Sequence, residues 1–423
     1  MRLDFSDDQI DRGREILEVG PICDECLGRP FAKVGHGLAN AERGQALRTI
    51  LADAGQMGVC WVCGGLFSRV GTWAERAARA VAGIEFDTYL FGLKLTPRLE
   101  QMETFFDKRF PSEQGESLKH AFNRAVGKAF EAGLGRSVTV DFSRPDVSMV
   151  IDPSSDEFHV HVTSLYVYGR YRKLVRGIPQ TRWPCRRCRG RGCASCGYTG
   201  KQYPESVEEW IASPLLEATE AEGAHLHGAG REDIDARMLG DGRPFVLELV
   251  APRRRTLDLE SLGDAVNDNA NGRVEISPLR LSDRATVGWL KELDATKRYR
   301  ALAEFAEPVD PGRLQEALAG LCGVIEQRTP HRVSHRRADR VRLRRLLSAS
   351  GEVVAPRRAV LEFEGEGGLY IKELVSGDEG RTNPSLSGHL GVGAAVIELD
   401  VLEVHSEALA DRTCSVDNGE ALP

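Results

Sequence analysis

The chain has no run of 18 apolar residues, so no segment reads as a membrane-spanning helix. Its first ten residues, MRLDFSDDQI, lack both a basic start and an apolar stretch, so they do not read as a secretory leader. The expected setting is the cytoplasm. No complete G-x-G-x-x-G and no G-x-x-x-x-G-K-[ST] occurs, which removes the common dinucleotide and nucleotide loops. No G-x-S-x-G elbow and no H-E-x-x-H helix occurs either. Any chemistry is therefore expected to run without an organic cofactor, on carboxylate and aromatic side chains. An excess of positive charge is missing too. Lys and Arg number 56 against 63 Asp and Glu, for a net −7. That balance argues against indiscriminate coating of nucleic acid, though local basic grooves remain open.

What is present is an ordinary globular composition in 423 residues, long enough for two to three domains. No solenoid repeat is visible, and no obligate protein partner is indicated. Eight of the ten cysteines form four C-x-x-C pairs: Cys23/Cys26, Cys60/Cys63, Cys185/Cys188 and Cys193/Cys196. Only Cys322 and Cys414 stand alone. A cytosolic chain seldom uses cysteines as disulfides. A C-x-x-C turn presents two thiolates on one face, and two such turns complete a tetrahedral zinc site. A redox C-x-x-C or buried thiols would be the plainer readings, but a redox pair normally comes singly. Four Cys ligands leave no open coordination position, so the expected zinc is structural.

Along the chain, residues 1–71 read as a zinc-binding helical region and 72–181 as a mixed α/β domain. Residues 182–200 read as a four-Cys knuckle and linker, and 201–423 as an α+β domain. In the last of these, strand and helix patterns alternate from FVLELV through KRYRALAEF to AAVIELDVLEVH. The tail after His405 is polar and is expected to fray. Three runs are basic: YGRYRKLVR (168–176), RWPCRRCRGRG (182–192) and HRVSHRRADRVRLRR (331–345). Arginine interleaved with tyrosine suits looped or single-stranded RNA, because both can stack on bases. A charge run is more often just a solvated face. Here the positive charge is segregated within an acidic chain, which favours RNA.

The stretch HGAGREDIDARMLGDGRPF places many acids and arginines in a glycine-punctuated turn at the mouth of a strand. A solvated turn needs one or two such residues. The words GREDIDARMLG, KRYRAL, QRTPHRVSHRRAD and YIKELVSGDEGRTNP resemble the motifs of the archaeal-type tRNA pseudouridine synthases that modify the T-loop. CDECLGRPF, SLYVYGRYRKL and the CRRCRGRGCASC segment resemble that family's zinc-bearing region, its RNA-binding THUMP domain and its connecting knuckle. The resemblance covers nearly the whole chain in order.

It implies a pseudouridine synthase catalytic domain, a mixed antiparallel sheet with flanking helices, preceded by the zinc-binding and THUMP regions. It implies tRNA as partner, with T-loop positions 54 and 55 as targets. The family's aspartate nucleophile matches Asp233, with Asp235 as the rival two residues on. Strand alternation would put both on one side, so spacing does not separate them; the match and Arg231 just upstream favour Asp233. Tyr299 matches the aromatic that stacks on the detached uracil, and Tyr370 a further substrate-contacting tyrosine. Lys372 matches the basic residue beside the nucleophile, with Arg231 a second candidate. The chemistry agrees: the carboxylate must be ionised, which a nearby cation favours. Each residue alone has a plainer reading: Asp233 as a turn brace, Tyr299 as core, Lys372 as a surface strand residue.

Overall fold

A computed structural model describes residues 3–405 apart from 54, 56, 57, 294 and 336. The tail after His405, with Cys414, lies outside the described residues. The protein is α+β and divides into two compact units: Met1–Ser164 with Ala251–Arg255, and Leu165–Val250 with Thr256–Pro423.

In the first unit, helix Asp7–Val19 starts at a capping box. Ser6 Oγ accepts from Gln9 N, and Ser6 N donates to Gln9 Oε1 at 2.9 Å. Helices Asp24–Gly28 and Asn40–Leu51 meet backbone to backbone. A Cβ on Gly28 would sit 1.9 Å from Asn40 O, and one on Gly44 2.2 Å from Asp24 O, so only glycine permits the approach. A four-stranded sheet follows, with β1 (Thr88–Leu93), β2 (Thr139–Val140), β3 (Val147–Asp152) and β4 (Glu157–Val162) in the order β2-β1-β3-β4. Helix Leu118–Leu134 buries Leu118, Phe122, Val126 and Phe130, a four-residue spacing that lays one apolar stripe on this core.

The second unit is built on β5 (Leu165–Lys173), β6 (Gly223–Gly228), β7 (Ala236–Val250), β8 (Val274–Ile276), β9 (Arg280–Ser282), β10 (Lys297–Phe305), β11 (Gly323–Arg328), β12 (Val341–Ala355), β13 (Arg358–Gly365), β14 (Thr382–Asn383) and β15 (Ala394–Val404). Their order is β14-β11-β12-β13-β10-β15-β7-β5-β8, with β6 also on β7 and β9 on β5. β15 runs antiparallel to β10 and parallel to β7. Alternation is clean on β10, where Tyr299, Ala301, Ala303 and Phe305 are buried. Helices Val207–Thr219, Leu259–Ala270 and Pro311–Leu321 cover the sheet through the same core. No helix among the described residues is long and apolar enough to cross a membrane.

Two expectations change here. The boundary placed at 181/182 falls instead at 164/165, because β5 is hydrogen-bonded into the second unit's sheet along β7. The basic run on β5 is also not a free RNA-facing surface. Tyr168, Tyr171 and Lys173 are buried, and Arg176 pairs with Asp400 at 2.7 Å. Alternation sends Tyr171 and Lys173 to one face of β5, where Tyr171 joins the main core, while Tyr168, on the other face, is buried in a second cluster with Val246, Val287 and Leu290.

Candidate active site

Residues 229–235 link β6 to β7 as an irregular turn, so the alternation argument for Asp233 and Asp235 does not apply. Gly230 sits at φ +82°, with Arg243 and Lys297 side chains crowding the place a Cβ would take, which requires glycine.

Beneath the turn lies a fully buried polar cluster. Glu232 has 0% side-chain exposure, as does Lys173; Arg243 has 2%. Glu232 accepts from the Tyr171 hydroxyl at 2.8 Å and from Arg243 Nε at 2.9 Å. Lys173 Nζ stands 3.8 Å from the same carboxylate and donates to the carbonyls of Ile178, Asp233 and Ile234 at 2.9, 3.1 and 3.2 Å. Arg243 Nη1 donates to Ala229 O at 2.6 Å, and Gln180 Nε2 to Gly230 O at 3.0 Å. Four carbonyls of the turn are thus held by buried side chains, and the two cations among them cannot move without leaving a buried charge unpaired. Burial pushes the Lys173 ammonium below its ordinary range, against the pull of Glu232.

Above the turn, Asp233 faces a cavity of about 520 Å³ lined also by Arg231, Tyr299, Arg332, Tyr370 and Lys372. That volume is in the range of a small-molecule site. The cavity brings together the five residues singled out from the sequence. Asp233 Oδ1 accepts from Arg332 Nη1 at 3.0 Å, and its Oδ2 lies 3.7 Å from Lys372 Nζ. Arg332 is fixed from behind by Glu373, 5% exposed, at 2.6 Å. Tyr299 is 8% exposed, and burial pushes its phenol up to about 12, so it enters as a neutral ring. Tyr370 is held through its backbone: Gln327 Oε1 accepts from Tyr370 N, and Gln327 Nε2 donates to Tyr370 O, both at 2.9 Å. Its hydroxyl accepts from Arg337 at 2.8 Å.

The structure adds three details. Lys372 stands in helix Ile371–Ser376, not in a strand. Arg231 lies over the Trp183 ring, 4.9 Å from its centroid, and the hydrogen-bonded cation on Asp233 is Arg332. Asp235 is 67% exposed and holds Lys372 at 2.7 Å. Partial burial raises the Asp235 carboxyl, but the Lys372 hydrogen bond and charge outweigh it and keep it below the usual range. A depressed folded-state pKa means this pair's contribution is present above the unfolded value and fades as pH falls through the folded one.

Sequence reasoning missed Arg332, Glu373, Glu232, Arg243 and Lys173. Arg332 lies in a word already singled out, but among seven arginines of 331–345 nothing in the pattern marks it.

The eight paired cysteines gather as two groups, Cys23, Cys26, Cys60, Cys63 and Cys185, Cys188, Cys193, Cys196, each with its sulfurs within 4.8 Å of one another. Sγ separations include 3.7 Å for Cys23–Cys63, 3.7 Å for Cys193–Cys196 and 3.9 Å for Cys188–Cys196. Four thiolates at ~2.3 Å from one ion have tetrahedral edges of about 3.8 Å, so both groups could hold a metal ion.

Comparison with known proteins adds lineage to this geometry. Residues 166–405 match the family model "Pus10, C-terminal", and residues 73–152 match "Pus10 THUMP domain, archaeal". The chain is 48% identical to the tRNA pseudouridine synthase Pus10 of Halorubrum lacusprofundi, over 93% of this chain and 97% of that one. It is 43% identical to that of Methanothrix thermoacetophila, over 95% of each chain. It is 43% identical to that of Methanopyrus kandleri, over 96% of this chain and 100% of that one. The chain belongs to the Pus10 family of tRNA pseudouridine synthases.

Proposed function

We propose that the protein isomerises uridine to pseudouridine in the T-loop of tRNA, in the cytoplasm, with Asp233 as nucleophile. The observation that carries this reading is one carboxylate facing a cavity, bonded by Arg332 and flanked by Lys372, with the Tyr299 ring lining the same space. The target uridine must leave its stack to reach such a cavity. Asp233 attacks C1′ as the N1–C1′ bond breaks, and its own bond to C1′ breaks, returning the carboxylate, when C5 of the turned base takes its place. The base turns against Tyr299, C5 bonds to C1′, and C5 loses its proton while N1 gains one. Product and substrate are isomers, so no electron or group donor is needed. Tyr370 and Arg231 contact the substrate from the rim. The test is incubation of an unmodified tRNA transcript with the protein, followed by mapping of pseudouridine. Product confined to the T-loop supports the reading; product absent, or found only elsewhere, overturns it.

Tyr299→Phe is expected to keep most activity and Tyr299→Ala to lose it, since stacking survives only the first change. Tritium release from C5-labelled uridine compares them, and equal losses in both would assign the role to the hydroxyl instead.

Zinc is the metal proposed for both four-cysteine groups, because a closed tetrahedral thiolate set is its usual structural site. Bound there, it supplies cross-linking and no chemistry. Protein purified without chelator should carry about two zinc ions per chain. Elemental analysis finding none would reject the assignment.

A further inference from the structure

The basic runs have separate fates. The run on β5 is largely buried or paired, and four arginines of 331–345 (Arg332, Arg337, Arg342 and Arg344) line the active-site cavity. The knuckle run is left. Arg182, Arg186, Arg187, Arg189 and Arg191 are all exposed, and among the described residues none of the five pairs with a carboxylate. Arg187 donates to Ser195 Oγ at 2.7 Å and Arg191 to Cys188 O at 3.3 Å, both neutral acceptors. Elsewhere in the fold arginines are routinely matched, as in Arg172 with Glu275 and Arg328 with Asp339.

Neutralising the metal centre does not account for this cluster. Four thiolates around a divalent ion carry about −2, and five guanidiniums exceed that by about three. Crowded like charge raises the energy of the isolated loop, and a polyanion relieves it.

The same loop holds Tyr198 at 78% exposure and φ +62°, a left-handed conformation that glycine or asparagine would occupy at less cost. Its N–H is tied to Cys193 O at 2.9 Å, so the ring is held outward by the knuckle backbone. Its neighbours Ala194, Ser195, Gly197 and Thr199 are exposed and small, which is unlike the apolar centre of a protein-docking site. An exposed ring beside unpaired guanidiniums suits bases and phosphates together. Trp183, in the same segment, packs against Tyr203 at 5.6 Å and under Arg231, two residues before Asp233. The loop is thereby tied to the catalytic turn.

We propose that the metal-clipped loop 182–200 is a binding surface for unpaired or looped RNA, with Tyr198 stacking on a base and the arginines on flanking phosphates. This rests on the reading of the protein as a tRNA enzyme, and the RNA engaged is the same tRNA.

The test uses the full, metal-loaded chain and an unmodified tRNA transcript in filter binding across a salt series. The variant carrying Arg186→Gln, Arg187→Gln, Arg189→Gln and Arg191→Gln should bind about tenfold more weakly. Its log K against log salt slope should shrink by about 2 to 3, near 0.7 for each phosphate no longer neutralised. Tyr198→Ala should lose about five- to tenfold with the slope unchanged, and Tyr198→Phe should stay within about twofold. Metal content is measured on each protein. If the fourfold variant sheds its metal, Tyr198→Ala and the single change Arg186→Gln decide the outcome. Wild-type affinity and slope in metal-loaded variants overturn the proposal, as does loss of binding to polyglutamate without loss of tRNA binding. Failure of the unaltered protein to bind tRNA would instead overturn the reading of its function.

Discussion

Asp233→Asn should abolish pseudouridine formation while tRNA affinity stays within about tenfold, or ~1.4 kcal/mol. The substitution keeps the side chain's shape and its place under Arg332 but removes the anion. A step that needs a carboxylate to attack carbon then has no nucleophile, whereas the cavity's shape and its cations Arg332 and Lys372 are kept. Asp235→Asn should keep measurable activity, because Asp235 is 67% exposed and acts on Lys372, not on the cavity. Its removal frees Lys372 from a 2.7 Å partner and leaves Asp233, 3.7 Å away, as the nearer acid. Tritium release from C5-labelled tRNA decides between the two. Near-normal release by Asp233→Asn together with loss in Asp235→Asn would move the nucleophile two residues along.

Glu232→Ala is the change with the largest expected effect on stability. It leaves Arg243 and Lys173, at 2% and 0% exposure, as buried cations without their acid. Breaking one side of a buried ion pair costs about 3–5 kcal/mol. Whole domains are stable by only about 5–15 kcal/mol. For a unit of this size the melting transition should drop by about 6–20 °C. Glu232→Gln keeps acceptors for Tyr171 and Arg243 and should cost less. A Glu232→Ala protein melting within about 2 °C of the original would show that water or a neighbouring group replaces the acid and that the cluster does not pin the turn.

The resemblance and the periodicities made much of this protein legible. KRYRALAEF reads as a strand and is β10 from Lys297 to Phe305. PGRLQEALAGL reads as a helix and is one from Pro311 to Leu321. The cysteine spacing foretold two clusters, since C-x-x-C geometry is local and only the pairing is tertiary. What stayed hidden depended on burial of charge. Glu232 and Lys173 belong to residue types that usually face water, so composition gives no hint that they are the floor of the turn. The β5 run reads as an RNA surface because its basic residues are contiguous in sequence, while the strand sends them to opposite faces. Arg332 could not be told from its neighbours, because what distinguishes it is Glu373, 41 positions away.

β15 lies between β7, which carries the turn of Asp233, and β10, which carries Tyr299. It is stitched in place by Asp400, which accepts from Arg176 and Arg237. Arg237 and Asp400 are 163 positions apart, so the sheet's two halves share no strand until almost all of the described chain has left the ribosome. Pairings of such long range close late and slowly. A nascent chain therefore carries Asp233 on one half and Tyr299, Arg332 and Lys372 on the other, without the cavity they line together. Synthesis itself then acts as a safety catch on the proposed reaction: an incomplete polypeptide holds Asp233 without the assembled cavity that it faces in the finished fold.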